Sequence, residues 1–352
     1  MQILSDYTKD IRSPKPAPGS YEWWYFDAIS DDGLYSIVVI FYDGNPFSRR
    51  YITNGGQASD FPAISISVYK NDRPIFYGFE EVEPYEAHFS DELPKGNVKE
   101  NRFSGEVKNG ELSYSLELHQ ILPSGDKLDA ELTFRSAQDS FNEFGSAESN
   151  NDGHIWNLVQ PKCTVTGDIT ISGYTSESFE FEGTGYHDHN VGSEPMKESF
   201  TEWYWGRFHL DNAMLVYYLM HENGSWKNKV WLLKDDGEVE SLSEDRGISL
   251  SGLEKTFWGL NTARKIESTG GSDKFLIQQE EMIDSGPFYQ RFRSKLILHK
   301  GDEIIQSRGI SEYIYPERIY QRLFWPLVNM RIQYPDKLHW VQKNPRLYRW
   351  TW

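Results

Sequence analysis

The sequence predicts an all-β chain made of two similar domains. Apolar and polar residues alternate with a period of two over many short stretches, as half-buried strands require. Long amphipathic helical patterns are missing from the 352 residues. The chain also repeats itself: Glu202-Trp203-Tyr204-Trp205 echoes Glu22-Trp23-Trp24-Tyr25, and Ala213-Met214-Leu215-Val216-Tyr217-Tyr218-Leu219 echoes Tyr35-Ser36-Ile37-Val38-Val39-Ile40-Phe41. The offset is nearly constant, roughly half the chain, which is the mark of an internal duplication. The expected domains are 1–195 and 196–352. A single large β-sandwich is the alternative, and the near-repeat separates the two.

In order along the chain, residues 13–19 carry three prolines and read as an extended lead-in. An almost wholly aromatic strand follows over residues 21–27. Asp31-Asp32-Gly33 is a turn, and Tyr35–Tyr42 is a strand with several β-branched residues. Further strands are expected at 63–69, 74–79, 103–107, 112–119 and 128–134, with Asn109-Gly110 as a hairpin turn. Residues 136–153 are polar, acidic and poor in aliphatics, and a loop of that length is a lid or a disordered segment. It leads into His154-Ile155-Trp156, where His154 and Trp156 share a strand face, and strand character resumes over 162–171. Asp43-Gly44-Asn45 and Glu222-Asn223-Gly224 are the polar turns that end the two echoed strands. The aromatic stretch 315–352, ending Tyr348-Arg349-Trp350-Thr351-Trp352, is expected to dock on the protein.

The formal net charge is -17. That argues against nucleic-acid binding, which needs a basic surface, and against electrostatic docking on anionic lipid. Aromatic residues make up 15%, which fits either a β-rich core or a large pocket for an apolar ligand. One cysteine, Cys163, allows no intrachain disulfide. The first residues show no signal-peptide pattern and no apolar run long enough to span a bilayer, so a cytoplasmic protein is expected. An apolar substrate would then be drawn from a membrane, by transient contact, or from a carrier.

The densest chemistry lies in Gly183-Thr184-Gly185-Tyr186-His187-Asp188-His189-Asn190-Val191-Gly192. On a strand, Tyr186 and Asp188 project to one face, His187 and His189 to the other. Strict alternation from Phe181 puts the histidines on the phenylalanine face. A bulge at Gly183-Thr184-Gly185 reverses this and turns Tyr186 and Asp188 inward, and is favoured because isolated strand glycines often mark bulges. The cluster is a reactive site or a satisfied polar network. A metal site is the rival reading, with His187, His189 and His154 as three imidazoles, but no further ligand stands at a diagnostic spacing, so no metal is assigned.

Glu22-Trp23-Trp24-Tyr25-Phe26, then His154-Ile155-Trp156 followed by Pro161, then Gly185-Tyr186-His187-Asp188-His189-Asn190, resemble the carotenoid 1,2-hydratase (hydroxyneurosporene synthase) family. The resemblance implies two lipocalin-like (calycin) β-barrel domains in tandem and a lipophilic small-molecule substrate. It also implies hydration of a terminal alkene without metal or organic cofactor, at His154, Trp156, Tyr186 and Asp188. Protonating an alkene carbon calls for a carboxylic acid, and Asp188 is the candidate. Tyr186 hydrogen-bonds that acid or positions water. Trp156 offers a cation–π face, and His154 accepts the proton of the attacking water. Trp24, Trp203, Trp205 and Asn190 are the candidate substrate contacts. Each also has a plain structural reading, as core packing or as a turn hydrogen bond. The alternatives in function are a cyclase or pericyclase acting on a polyene, and a carrier that binds a lipophilic ligand unchanged.

Overall fold

The structure, a computed structural model, describes residues 1–15, 17–138, 153–222, 224–243, 247–270 and 273–352. The fold is all-β, and its described residues form two compact units. One is Met1–Ser199 with Arg322–Trp352, the other Phe200–Gln321. The segment from Arg322 thus belongs to the first unit, whereas the expectation assigned it to a domain 196–352. The acidic stretch expected as a loop lies largely outside the described residues, as does Asn223.

In the first unit the strands are β1 (Gln2–Leu4), β2 (Tyr21–Ser30), β3 (Tyr35–Tyr42), β4 (Ala63–Lys70), β5 (Arg73–Glu81), β6 (Ala87–Phe89), β7 (Lys95–Val98), β8 (Asn101–Lys108), β9 (Glu111–Ile121), β10 (Lys127–Ala137), β11 (His154–Ser172) and β12 (Glu177–Gly192). All six strands expected between residues 35 and 134 are present. The order across the sheet is β5-β4-β3-β2-β12-β11-β10-β9-β8-β7-β6. Tight turns join the hairpins: Asn71 and Asp72 at φ 50 and 59, Asn109 and Gly110 at φ 53 and 80. Paired positive φ angles match the twist of the flanking strands, and asparagine, aspartate and glycine tolerate them.

On β9, Leu112, Tyr114, Leu116 and Leu118 are buried while their neighbours are not, the period of a sheet with one dry face. They meet Phe26, Phe41, Phe103 and Phe134, which form an aromatic interior. The edge strand β5 is covered by a short parallel strand, Ile332–Gln333, which occupies backbone groups that would otherwise invite another chain.

The second unit has β13 (Glu202–Leu210), β14 (Ala213–Glu222), β15 (Ser225–Lys234), β16 (Val239–Ser241), β17 (Ile248–Lys255), β18 (Asn261–Ser268), β19 (Lys274–Ser285), β20 (Tyr289–Lys300) and β21 (Glu303–Ile314). Their order, β16-β15-β14-β13-β21-β20-β19-β18-β17, repeats that of the first unit from β5 to β8. The two echoed sequences occupy equivalent strand pairs, β2–β3 and β13–β14. Among the described residues, no helix is long and apolar enough to cross a membrane.

Candidate active site

The site grows from β12 and its two neighbours. β12 pairs with β2 in unbroken antiparallel register from Gly183↔Ser30 to Gly192↔Tyr21. No extra residue interrupts Gly183-Thr184-Gly185, so the expected bulge is absent there. The irregularity lies on β11: three residue steps from Asn157 to Gln160 face two on β12, and three from Gln160 to Cys163 again face two. Pro161, which has no N–H to give a ladder, stands in that stretch. Strict alternation therefore holds on β12. His187 and His189 point with Phe181 into the aromatic interior, and Tyr186, Asp188 and Asn190 occupy the opposite face.

Residues paired across strands share a face. Tyr21, Trp23, Tyr25 and Asp27 on β2 therefore lie on the Asp188 side. His154 and Trp156 join them from β11, opposite Gly192 and Asn190. Three donors converge on the Asp188 carboxylate. Tyr186 O–H donates to Oδ2 at 2.6 Å, Trp156 Nε1–H donates to Oδ2 at 2.7 Å, and Asn190 Nδ2–H donates to Oδ1 at 2.8 Å. The amide oxygen of Asn190 lies 3.1 Å from His154 Nε2, and Tyr21 Oη lies 3.0 Å from His154 Nδ1. Because the Asn190 N–H is given to Asp188, its oxygen accepts from His154 Nε2–H, and Nδ1 accepts from Tyr21. The hydrogen bonds run in one direction, from Tyr21 through His154 and Asn190 to Asp188.

Gly192 makes this chain possible. It stands between Tyr21 and His154 in the three-strand register. A Cβ there would fall within 3.0 Å of three atoms of the Tyr21 ring. Glycine lets the phenol lie across β12 and reach β11.

Asp188 and Asn190 are each 4% exposed, and Tyr186, Trp156 and His154 are buried more deeply. Burial pushes the His154 imidazolium down to about 3, against the hydrogen bond to Asn190. His154 is therefore a neutral imidazole at physiological pH.

The other face of β12 is a buried charge cluster. His189 Nε2 lies 2.8 Å from Glu22 Oε1 and its Nδ1 lies 3.3 Å from Asp10 Oδ1. His187 Nδ1 donates to the Tyr25 carbonyl at 3.0 Å, and its Nε2 lies 3.1 Å from Asp10 Oδ2. Tyr114 also bonds Asp10. Lys15 pairs with Glu22 and, at 2.8 Å, with Asp43, which Arg12 meets at 2.5 Å. Burial works against the charge on His189, but the hydrogen bond to Glu22 and the charges of Glu22 and Asp10 outweigh it and raise its pKa. The rival metal reading needed His154 beside His187 and His189. The structure divides the three imidazoles between the two faces.

A model of the family described as carotenoid hydratase CrtC matches residues 106–343. The chain is also 30% identical over 349 residues to the hydroxyneurosporene dehydrogenase of Chlorobaculum tepidum, covering 92% of this chain and 90% of that protein. The chain belongs to the carotenoid hydratase CrtC family. It is 24% identical to the acyclic carotenoid 1,2-hydratase of Rubrivivax gelatinosus, over 78% of this chain and 64% of the relative. It is 26% identical to the quinolone epoxide rearrangement protein penF of Penicillium thymicola, over 66% of each chain. The crystal structure of CghA with Sch210972 shares the fold, with a TM-score of 0.57 at 13% identity, covering 89% of this chain and 96% of that one.

In this CrtC-family chain, five of the eight residues singled out from the sequence come together: His154, Trp156, Tyr186, Asp188 and Asn190. Trp24 does not join them. It pairs with His189 and stacks on it at 4.6 Å and on Phe89 at 4.7 Å, inside the first unit. Its strand neighbours Trp23 and Tyr25 point to Asp188 instead. Trp203 and Trp205 belong to the second unit, on the face of β13 away from Tyr204 and Phe208, which enter that unit's core. Trp203 packs edge-on against Phe200 at 4.4 Å. Sequence reasoning missed Tyr21 and Asp27. Both follow from extending the alternation of Trp23 and Tyr25 by one step each way, once β2 is known to pair with β12.

Proposed function

We propose that this protein adds water across an isolated double bond of a carotenoid or related prenyl chain, with Asp188 as the group that gives and regains the proton. The observation that carries this reading is one carboxyl group, 4% exposed and held in place by Tyr186, Trp156 and Asn190 among aromatic rings, in a chain of this family. In the proposed step, protonated Asp188 transfers its proton to the terminal-side carbon, and the π pair forms the new C–H bond. The tertiary cation left behind is stabilised by the indole face of Trp156. Water attacks that carbon, and its surplus proton returns to the Asp188 carboxylate. One alkene and one water give one tertiary alcohol, and the site is restored.

Tyr186 fits the role of aiming the Asp188 carboxyl group, since its hydroxyl touches Oδ2. His154 fits positioning better than the base role first considered, because burial holds it near a pKa of about 3. Its Nε2–H fixes the Asn190 amide, which in turn orients Asp188. Trp23 and Tyr25 replace Trp24 as the proposed substrate contacts on β2. Trp203 and Trp205 remain candidate apolar contacts on their own unit. The substrate class, a lipophilic small molecule, follows from the names of the hydratase relatives.

The relation to a quinolone epoxide rearrangement protein favours a second reading, acid-initiated rearrangement or cyclisation with the same proton donor. Heavy-oxygen water separates the two. Hydration of an acyclic carotenoid places one solvent oxygen in the product, whereas rearrangement yields an isomer without it. Asp188→Asn keeps size and most hydrogen bonding but removes the acid. Turnover should fall at least about 10²-fold, with little change in substrate binding. Normal turnover by folded Asp188→Asn protein overturns the proposal, and ligand retention without turnover by the parent protein identifies a carrier.

A further inference from the structure

The segment Arg322–Trp352 differs from the rest of the chain in charge. It holds six basic residues, Arg322, Arg331, Lys337, Lys343, Arg346 and Arg349, against one acid, Asp336, in a chain of formal net charge -17. It is also firmly built. The Gln342 side chain donates to the carbonyls of Asn329, Met330 and Ile332, Tyr348 Oη donates to the Arg331 carbonyl, and Arg349 pairs with Asp126 at 3.3 Å.

On this fixed frame large apolar side chains face outward. Trp340 is 66% exposed and Trp350 is 73% exposed, with Leu338 and Leu347 also exposed. The placement is regular. In the short helical turn Trp340–Lys343, Val341 and Gln342 are buried while Trp340 and Lys343, three apart, share the outer side. In the helix Pro345–Trp350, Tyr348 is buried while Arg346, Leu347 and Trp350 share the outer side by the three- and four-residue spacing. The two helices pack on each other. Arg349 lies over the ring of Tyr174 at 5.0 Å, and that ring, 56% exposed, extends the surface.

Exposed tryptophan and leucine rimmed by lysine and arginine are the components of a membrane-interface surface. Indole settles at the headgroup level, aliphatic side chains enter the acyl boundary, and the cations meet anionic lipid. We infer that Trp340, Trp350, Leu338 and Leu347, with Lys337, Lys343 and Arg346, form a docking face for an anionic membrane surface. The net charge argued against such docking. The local basic excess reverses that for this one face, while the acidic remainder of the chain is repelled, so the charge distribution also sets the orientation. The choice of a lipid surface over a protein partner rests on the local basic excess, which complements an anionic bilayer, and on the proposed lipophilic substrate, for which a bilayer is the natural reservoir.

The test is flotation of the full chain with vesicles of phosphatidylcholine alone or with about one third phosphatidylglycerol. Binding is expected on the anionic vesicles, weakly on the neutral ones, and should decline with added salt. Each basic residue near an anionic surface contributes about fivefold in partitioning, so Lys337→Gln/Lys343→Gln/Arg346→Gln should lose roughly 100-fold. Trp340→Ala/Trp350→Ala should weaken binding at every salt concentration. Both variants should keep the parent melting temperature and the parent turnover of substrate supplied in detergent micelles. Absence of binding to anionic vesicles overturns the inference, as does binding that both variants leave intact, or a basic-residue variant whose only change is lost self-association. Failure of the hydration proposal reads out separately: the protein then floats with vesicles but converts no micellar substrate.

Discussion

Substituting alanine for Gly192 tests whether one glycine sets the geometry of the site. The added Cβ falls within 3.0 Å of three Tyr21 ring atoms, in a place where Tyr21 is 0% exposed. Overpacking of this kind costs about 1–3 kcal/mol. The phenol must also leave His154, and a buried ring nitrogen without its donor costs a further ~1–3 kcal/mol. The expected destabilisation is therefore about 2–6 kcal/mol, measured by urea denaturation. Turnover should fall as well, because released His154 no longer fixes Asn190. Tyr21→Phe separates the two parts. It keeps the ring and removes only the hydroxyl, so it should reproduce the loss of turnover at about 1–2 kcal/mol of stability. In a Tyr21→Ala background the clash has no partner, and Gly192→Ala should become nearly neutral. If Gly192→Ala costs the same in both backgrounds, within ~0.5 kcal/mol, the two residues are not coupled and the reasoning fails.

Tyr186→Phe and Trp156→Phe each remove one donor from Asp188; each should lower turnover about 10- to 100-fold in a steady-state assay, while the fold is retained by circular dichroism. Lys15→Met leaves Glu22 and Asp43 buried without their shared cation and should cost about 3–5 kcal/mol in urea denaturation. His154 binds its proton only near a pH of about 3 when folded but near 6.5 when unfolded, so it lowers stability as pH falls through that window. At pH 4.5 the loss is about 2–3 kcal/mol, and His154→Gln should flatten the dependence of the urea midpoint on pH. His189 acts in the opposite sense. Its pKa is raised in the folded protein, so its contribution is complete below about 6.5 and is lost as pH rises through the raised value. His189→Gln should remove that decline on the neutral-to-alkaline side of the same titration.

The strands were legible because their cause is local. Alternation, β-branched residues and turn glycines act within a few positions, and the duplicated Glu-Trp strands announced two units. Within each strand the site was legible for a similar reason, since residues two apart must share a face, which groups Tyr186 with Asp188 and His154 with Trp156; joining the two groups rested on the family resemblance, which does not follow from local pattern. What the sequence concealed depends on pairing between distant segments. The bulge favoured at Gly183-Thr184-Gly185 is on β11 near Pro161, and only the partner strand reveals which of two neighbours carries the extra residues. Trp24 and Trp23 are adjacent and equally aromatic, and the register with β12 alone decides which one faces Asp188. The buried charge of Lys15 comes from the lead-in 13–19 and that of Asp10 from the residues just before it, and nothing local shows that this segment folds back onto β12.

The repeated strand order lets the two halves be compared position by position. Tyr25 and Trp205 are equivalent in the duplication, and the residue paired with each is a carboxylate: Asp188 opposite Tyr25, Glu312 opposite Trp205. Trp156 and Tyr289 are equivalent in the same way, and Tyr289 Oη donates to Glu312 at 2.6 Å much as Trp156 donates to Asp188. Both halves therefore hold a carboxylate under an aromatic donor. They differ in its other neighbours. Asp188 accepts from the neutral donors Tyr186 and Asn190. Glu312 pairs with the guanidinium of Arg291 at 2.9 Å, a permanent counter-charge. The same register position thus holds a carboxylate among neutral donors in one half and in an ion pair in the other.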